Sequence, residues 1–256
     1  MQELQIGGVS EDAVLGGRLR LRQPLHGHRV GHDAILLAAA TAAQGGEQAV
    51  DLGAGVGGAG LALAARVAGL RVHLVEIDAA LARLAADNAR LNGLAARVDA
   101  LACDAEDVAA LAAAGLAPAS IDRVLMNPPF HDARRQNLSP DPRRRLAHAA
   151  APGLLGRWVV SAASLLKPNG VLALIWRADG LDEVLQALAP AFGAIIVLPV
   201  LPGPDRAAIR VLVRAVKGGE GSPTYLSPLV LNDAEGRPSA AAEAVLRHGE
   251  TLPLAG

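Results

Sequence analysis

The chain of 256 residues has very few aromatic side chains: two Phe, two Trp and one Tyr. Its interior must therefore be built mostly from Ala, Leu and Val. A lone cysteine, Cys103, excludes an internal disulfide framework and points to the reducing cytoplasm. No basic segment followed by an apolar run opens the chain, so no signal peptide is expected. No apolar stretch is both long and glycine-free enough to predict a membrane span. The histidines show no ligand spacing with Cys or acids, so no metal site is predicted. A net charge of −1 gives no global attraction for nucleic acid, and any such binding needs a local patch. At 52% hydrophobic and 19% charged, the chain has the balance of a folded enzyme rather than a disordered polymer.

From residue 48 the pattern is repetitive. "AVDLGAG", "RVHLVEID", "RVDALACD", "IDRVLMNPP", "GVLALIWR", "GAIIVLPV" and "AIRVLVRAV" read as strands. Helical stretches such as "LALAARVA", "AALARLAADNARLN", "LLGRWVVSAASLL" and "LDEVLQALAP" separate most of them. Strands spaced by helices imply right-handed crossovers and a parallel sheet covered on both faces. The expected fold is α/β, a doubly wound, mostly parallel seven-stranded Rossmann-like sheet. Before it, "RLRLRQPLHGHRV" (18–30) reads as a hairpin or two short edge strands, and "HDAILLAAATAA" as a helix ending at Gly45–Gly46. Three segments result: a hairpin extension at 1–30, the main domain at 31–217 and a tail at 218–256. The tail suggests one short strand and a short helix.

Ligands of such sheets bind beyond the carboxyl ends of the strands. The first strand ends in "DLGAGVGGAG", where Gly53, Gly55, Gly57 and Gly58 let the backbone turn tightly and approach a ligand. Gly53, Gly55 and Gly58 also fit the dinucleotide fingerprint of a nicotinamide-dependent oxidoreductase. Asp51 argues against that reading, since a carboxylate aimed at the loop repels a pyrophosphate and attracts a sulfonium or an ammonium. The second strand ends in "LVEID", where Glu76, or else Asp78, is placed to accept from ribose hydroxyls. After the third strand, Asp104 can accept from an adenine amino group. Each acid alone reads equally well as a helix cap or a solvated strand end. Three at successive strand tips, beside a glycine loop, favour a nucleoside-like ligand.

This arrangement, "DLGAGVG", "VEID" and "CDA" in that order, resembles the class I S-adenosylmethionine-dependent methyltransferases. "NPPF" at Asn127–Phe130 resembles the N-P-P-[FY] signature of members that methylate planar amino or amide nitrogens. The resemblance implies S-adenosyl-L-methionine as cofactor, held by Asp51, Gly53, Gly55, Gly57, Glu76 and Asp104. It also implies catalytic roles for Asn127, Pro128 and Phe130. The amine of a base is a poor nucleophile because its lone pair is delocalised into the ring. The Asn127 side-chain carbonyl and the Pro128 backbone carbonyl can hold both N–H bonds and aim the lone pair at a methyl group. Phe130 can stack on a base flipped out of its stack, worth about 1–3 kcal/mol.

"RLRLRQPLHGHRVGHDAILLAAA", the glycine loop, "MNPPFHD", the arginine-rich stretch after it, "AIRVLVRAVKG" and the tail "SPLVLNDAEGRPSAAAEAVLRHG" follow one pattern. It is similar to that of bacterial enzymes that methylate the adenine N6 amine beside the anticodon of a valine tRNA. That family's Gly-x-Asp turn corresponds to Gly31, His32 and Asp33, with Asp33 near the cofactor. His32 departs from the small hydroxyl residue expected there. The implied partner is RNA, tRNA first. Close alternatives are a guanine amine in ribosomal RNA or a glutamine amide of a protein. The amide enzymes usually carry an N-terminal helical domain, and only about 30 residues precede the first helix here.

After the NPPF motif, "RRQNLSPDPRRR" carries Arg134, Arg135, Arg143, Arg144 and Arg145, a local basic excess suited to phosphates. Arg18, Arg20, Arg22 and Arg29 of the hairpin are further RNA candidates. Arg206, Arg210 and Arg214 are expected to face water. His131 is a loop residue within reach of substrate, and Trp158 and Trp176 are read as core.

Overall fold

In "LRLRQP" the alternation places Leu19 and Leu21 on one face of a strand and Arg20 and Arg22 on the other. The computed structural model, which describes residues 8–27, 29–129 and 153–255, buries both leucines completely. This strand, β2 (Leu19–Pro24), pairs antiparallel with β1 (Val9–Val14) through a turn at Leu15–Gly17. The hairpin therefore lies earlier than expected. The glycine pair Gly16–Gly17 makes its turn, and Gly27 lies in the connection to the first helix.

The main sheet contains β3 (Gln48–Leu52), β4 (Arg71–Glu76), β5 (Val98–Ala102), β6 (Ile121–Met126), β7 (Leu166–Arg177), β8 (Phe192–Leu201) and β9 (Arg210–Lys217). Their order is β5-β4-β3-β6-β7-β9-β8. All neighbours are parallel except β9, which runs antiparallel to β7 and β8. The order reverses between β3 and β6, the switch point where ligand crevices open. The seven expected strands are thus present, joined by a small antiparallel hairpin sheet.

Alternation along the strands creates two cores, one on each face. On β3, Ala49 points to one cluster and Val50 and Leu52 to the other. On β7, Ala173 and Ile175 face the first, and Leu172, Leu174 and Trp176 the second. Helices α1 (His32–Ala40), α2 (Gly58–Arg66) and α3 (Ala79–Leu91) cover the first face. Helices α4 (Val108–Ala113), α5 (Leu154–Leu165) and α6 (Leu181–Leu188) cover the second. Fully burying a Leu or Val side chain is worth roughly 1.5–3 kcal/mol, which makes these faces the main source of stability.

Helix α1 stops at Ala40, earlier than its apolar pattern suggests. Thr41 turns into extended backbone, and its hydroxyl donates to the Leu37 carbonyl at 2.8 Å. The Arg66 guanidinium then donates to the Ala38 and Thr41 carbonyls, satisfying acceptors at the helix end. The short Ala-rich α4, capped by Asp107, was not anticipated from its sequence. The tail adds two two-residue strands parallel to β8, β10 (Thr224–Tyr225) and β11 (Leu229–Val230), where one was expected. It ends with α7 (Ala240–Leu246), whose Val245 joins the first core with Leu229, Leu252 and Leu254. Among the described residues, no helix is long and apolar enough to cross a membrane.

Candidate active site

Register brings the predicted residues together. Leu52 pairs with Val75 on one side and with Met126 on the other. Gly53, Glu76 and Asn127 therefore leave three adjacent strands at one level. Neighbouring strands lie about 4.8 Å apart, so these positions span roughly 10 Å. Glu76 pairs with Ala102, which sets Asp104 just past the end of the next strand.

The loop after β3 is built around Glu76. The N–H groups of Gly53 and Ala54 both donate to the Val75 carbonyl at 2.9 Å. One Glu76 oxygen accepts from the Gly55 N–H and the other from the Asp78 N–H, each at 2.9 Å. A carboxylate oxygen has more than one acceptor direction, so capacity remains for ligand hydroxyls. Burial pushes the Glu76 carboxyl above its usual range, and these backbone donors pull in the opposite direction. Asp78, the other sequence candidate, caps α3 by accepting from the Ala80 and Leu81 N–H groups.

Two glycines show why the loop needs them. Gly53 sits at φ 72°, and a Cβ there would lie 2.3 Å from the Trp158 ring. Trp158 is core, as expected, but it also forms a wall directly against the glycine loop. Gly55 has φ 57° and nothing within 4 Å of where its Cβ would be. The space beside Gly31 is open in the same way. An open glycine cradle beside a strand-tip carboxylate fits S-adenosylmethionine, whose ribose hydroxyls Glu76 would accept from.

Asp51 lies beneath the loop rather than on its surface. It is only 3% exposed, and its Oδ2 accepts from the Gly60 N–H in α2 at 2.8 Å. Burial pushes its pKa up to about 7, partly opposed by that hydrogen bond, with the Glu76 charge raising it a little further. Its direct contact is thus with α2, and its charge reaches the loop from below.

Asp33 is held by Arg210, whose Nε donates to its carboxylate at 2.9 Å. Val30 and Ala34 lie where a Cβ on Gly58 would fall, so this turn packs against the glycine loop. Asp104 accepts from the Glu106 N–H at 2.8 Å, and Glu106 forms an ion pair with Arg157 of α5. Asn127 is half-buried, Pro128 buried and Pro129 exposed. Phe130, His131, Arg134, Arg135, Arg143, Arg144 and Arg145 lie outside the described residues.

The hairpin arginines are engaged within the protein. Arg20 and Arg22 pair with Glu11, Arg29 pairs with Asp12, and Arg18 donates to the His248 carbonyl at 2.7 Å. The expectation that Arg210 and Arg214 face water is corrected here. Arg210 binds Asp33, and Arg214 is half-buried, its guanidinium pKa lowered by desolvation and by Arg123. Sequence reasoning also missed Asn88. An Asn inside the Ala- and Leu-rich helix "AALARLAADNARLN" is an unusual choice, because Asn is a poor helix former, and that is a usable sequence signal. Its full burial is shown only by the structure.

The sheet order, with its switch point between β3 and β6, is that of a Rossmann-like methyltransferase fold. Residues 28–198 match the model of the Methyltransferase small domain, and the chain belongs to that family. A release factor glutamine methyltransferase from Chlorobaculum tepidum is 32% identical over 155 residues, which cover 58% of this chain and 52% of that protein. A tRNA1(Val) (adenine(37)-N6)-methyltransferase from Dickeya chrysanthemi is 28% identical over 230 residues, 86% of each chain. The crystal structure of a predicted O-methyltransferase, Atu636 from Agrobacterium tumefaciens, superposes with a TM-score of 0.72 at 28% identity. It covers 86% of this chain and 97% of that one. A 16S rRNA N2 G1207 methyltransferase from T. thermophilus, which shares the fold with a TM-score of 0.57 at 22% identity, was solved in complex with S-adenosylmethionine and guanosine.

Proposed function

We propose that this chain is an S-adenosylmethionine-dependent N-methyltransferase acting on the adenine N6 amine of a tRNA. The observation that carries the proposal is the common register of Gly53, Glu76 and Asn127 at three adjacent strand ends. Gly53, Gly55, Gly57 and Glu76 would hold the cofactor, with Asp104 at its adenine end and Asp33 beside it. Asp51 would act from below as a counter-charge. When bound, S-adenosylmethionine supplies an electrophilic methyl group carried on a sulfonium.

The Asn127 Oδ1 and the Pro128 carbonyl would accept the two N–H bonds of the target amine. That directs the nitrogen lone pair at the methyl carbon and stabilises positive charge as it grows on nitrogen. As the C–N bond formed, the methyl–sulfur bond would break and leave a neutral thioether, and the methylated nitrogen, now acidic, would lose its proton without a strong base. Phe130 would stack on the flipped adenine. Arg134, Arg135, Arg143, Arg144 and Arg145 would meet tRNA phosphates.

Support for tRNA comes from the Dickeya relative, which aligns over 86% of both chains. A second reading, a glutamine amide of a release factor, is favoured by the 32% and 36% identity of two enzymes of that name. An amide NH2 would use the same acceptor pair. The split between binding and turnover tests the assignment. Asn127→Ala is expected to abolish turnover while changing cofactor Kd less than about twofold, and Glu76→Ala to weaken Kd at least about tenfold. Loss of cofactor binding in Asn127→Ala would remove the assigned role.

A further inference from the structure

Among the described residues, the side chain of Asn88 hydrogen-bonds both the hairpin and the glycine loop. Asn88 of α3 is fully buried, and its amide makes three hydrogen bonds. Its Oδ1 accepts from the Arg22 N–H at 2.7 Å. Its Nδ2 donates to the Arg22 carbonyl and to the Val56 carbonyl, both at 3.0 Å. Val56 lies between Gly55 and Gly57, and Gly55 donates to Glu76. One turn further along α3, Asn92 treats Arg20 in the same way, accepting from its N–H at 2.9 Å and donating to its carbonyl at 2.7 Å.

The match is geometric. Four residues of helix rise about 6 Å, and two residues of strand about 6.6 Å, so amides at i and i+4 meet alternate peptides of a strand. The two asparagines thus act as a surrogate strand for the edge of β2. They differ in one respect. Asn92 directs its remaining N–H to the Asn88 carbonyl within α3, whereas Asn88 directs its own into the glycine loop.

We infer that Asn88 is a positioning residue for the cofactor loop and that it makes docking of the N-terminal hairpin part of the cofactor site. Without it, the Val56 carbonyl and both Arg22 backbone groups lose a buried partner. The loop that carries Gly55 toward Glu76 then loses its fixed height. By reciprocity, a ligand that orders the loop also tightens the hairpin. The inference rests on the reading of this loop as the S-adenosylmethionine site.

Asn92→Ala is the internal control, because it removes the same kind of hairpin contact and leaves Val56 held. Asn88→Ala is expected to raise the KM and Kd for S-adenosylmethionine about tenfold, with kcat changed less than about threefold. Asn92→Ala should lower Tm yet leave Kd within about twofold of the parent. Equal cofactor effects in the two variants would overturn the inference. Hydrogen exchange on the unsubstituted protein supplies a test that does not depend on a variant folding. Adding S-adenosylmethionine should slow exchange both in the 53–58 loop and at the Arg20 and Arg22 amides. Protection confined to the loop would refute the coupling. No S-adenosylmethionine binding by the unsubstituted protein would instead overturn the cofactor reading, and this inference with it.

Discussion

Asp51 is a carboxyl group taken out of water. Its pKa rises from 3.8 to about 7 because a fully buried carboxyl resists ionisation more than one Gly60 N–H favours it. The sign of the effect on stability follows. Between those two values the folded chain holds a proton that the unfolded chain has released. Stability therefore falls as pH rises, by up to about 1.4 kcal/mol per pH unit, and levels off above the folded value. Asp51→Asn keeps an acceptor for Gly60 and removes the titration. Its Tm relative to the parent should rise between about pH 5 and about pH 8, and a constant difference would contradict this account. In the parent, affinity for S-adenosylmethionine should increase across the same interval, because an ionised Asp51 favours a cationic ligand. The identity of Asp51 was plain in the sequence, beside the first glycine, but its orientation was not. Strand alternation puts it on the α2 face, where it grips Gly60 below the loop.

At the scale of elements, the loop after β3 is wedged between Glu76 and α5. Gly53 is where that wedge is tightest. Gly53→Ala combines a strained positive φ with a Cβ placed against the Trp158 ring. It should lower stability by about 2–4 kcal/mol, measured by the denaturant midpoint. Replacing Trp158 with Leu in the same chain should recover part of that loss by removing the overlap, leaving the backbone strain. A simple sum of the two single losses would show that ring and loop do not touch. The strand tips were legible because glycine and proline punctuate them and because apolar runs set their length. The wedge was not, since Trp158 lies on the apolar face of its helix and nothing in that spacing marks a ring aimed at a glycine. The hairpin register was hidden for a related reason. Val9–Val14 carries Ser, Glu and Asp among its apolar residues, and the turn at Gly16–Gly17 competes with equally good signals at Pro24 and Gly27.

Across the whole molecule, the chain is organised around one end of one sheet. The hairpin reaches the glycine loop through Asn88, and the tail adds Leu229, Val245, Leu252 and Leu254 to the core over α1. Arg210 at the start of β9 reaches Asp33 on α1, which ties the antiparallel end of the sheet to the turn packed on the glycine loop. The doubly wound order was legible as soon as strands and helices were seen to alternate. In the proposed reading, which substrate enters depends on the residues after Asn127, and the NPPF motif is compatible with an adenine, a guanine or an amide. The central claim is most directly tested by methyl transfer itself. Purified protein would be given methyl-labelled S-adenosylmethionine with undermodified tRNA, ribosomal RNA and release factor in parallel, and the RNA digested to nucleosides. The account predicts label in N6-methyladenosine from the tRNA fraction, lost in Asn127→Ala. Label in release factor or in a guanine of ribosomal RNA, with none in tRNA, would contradict it.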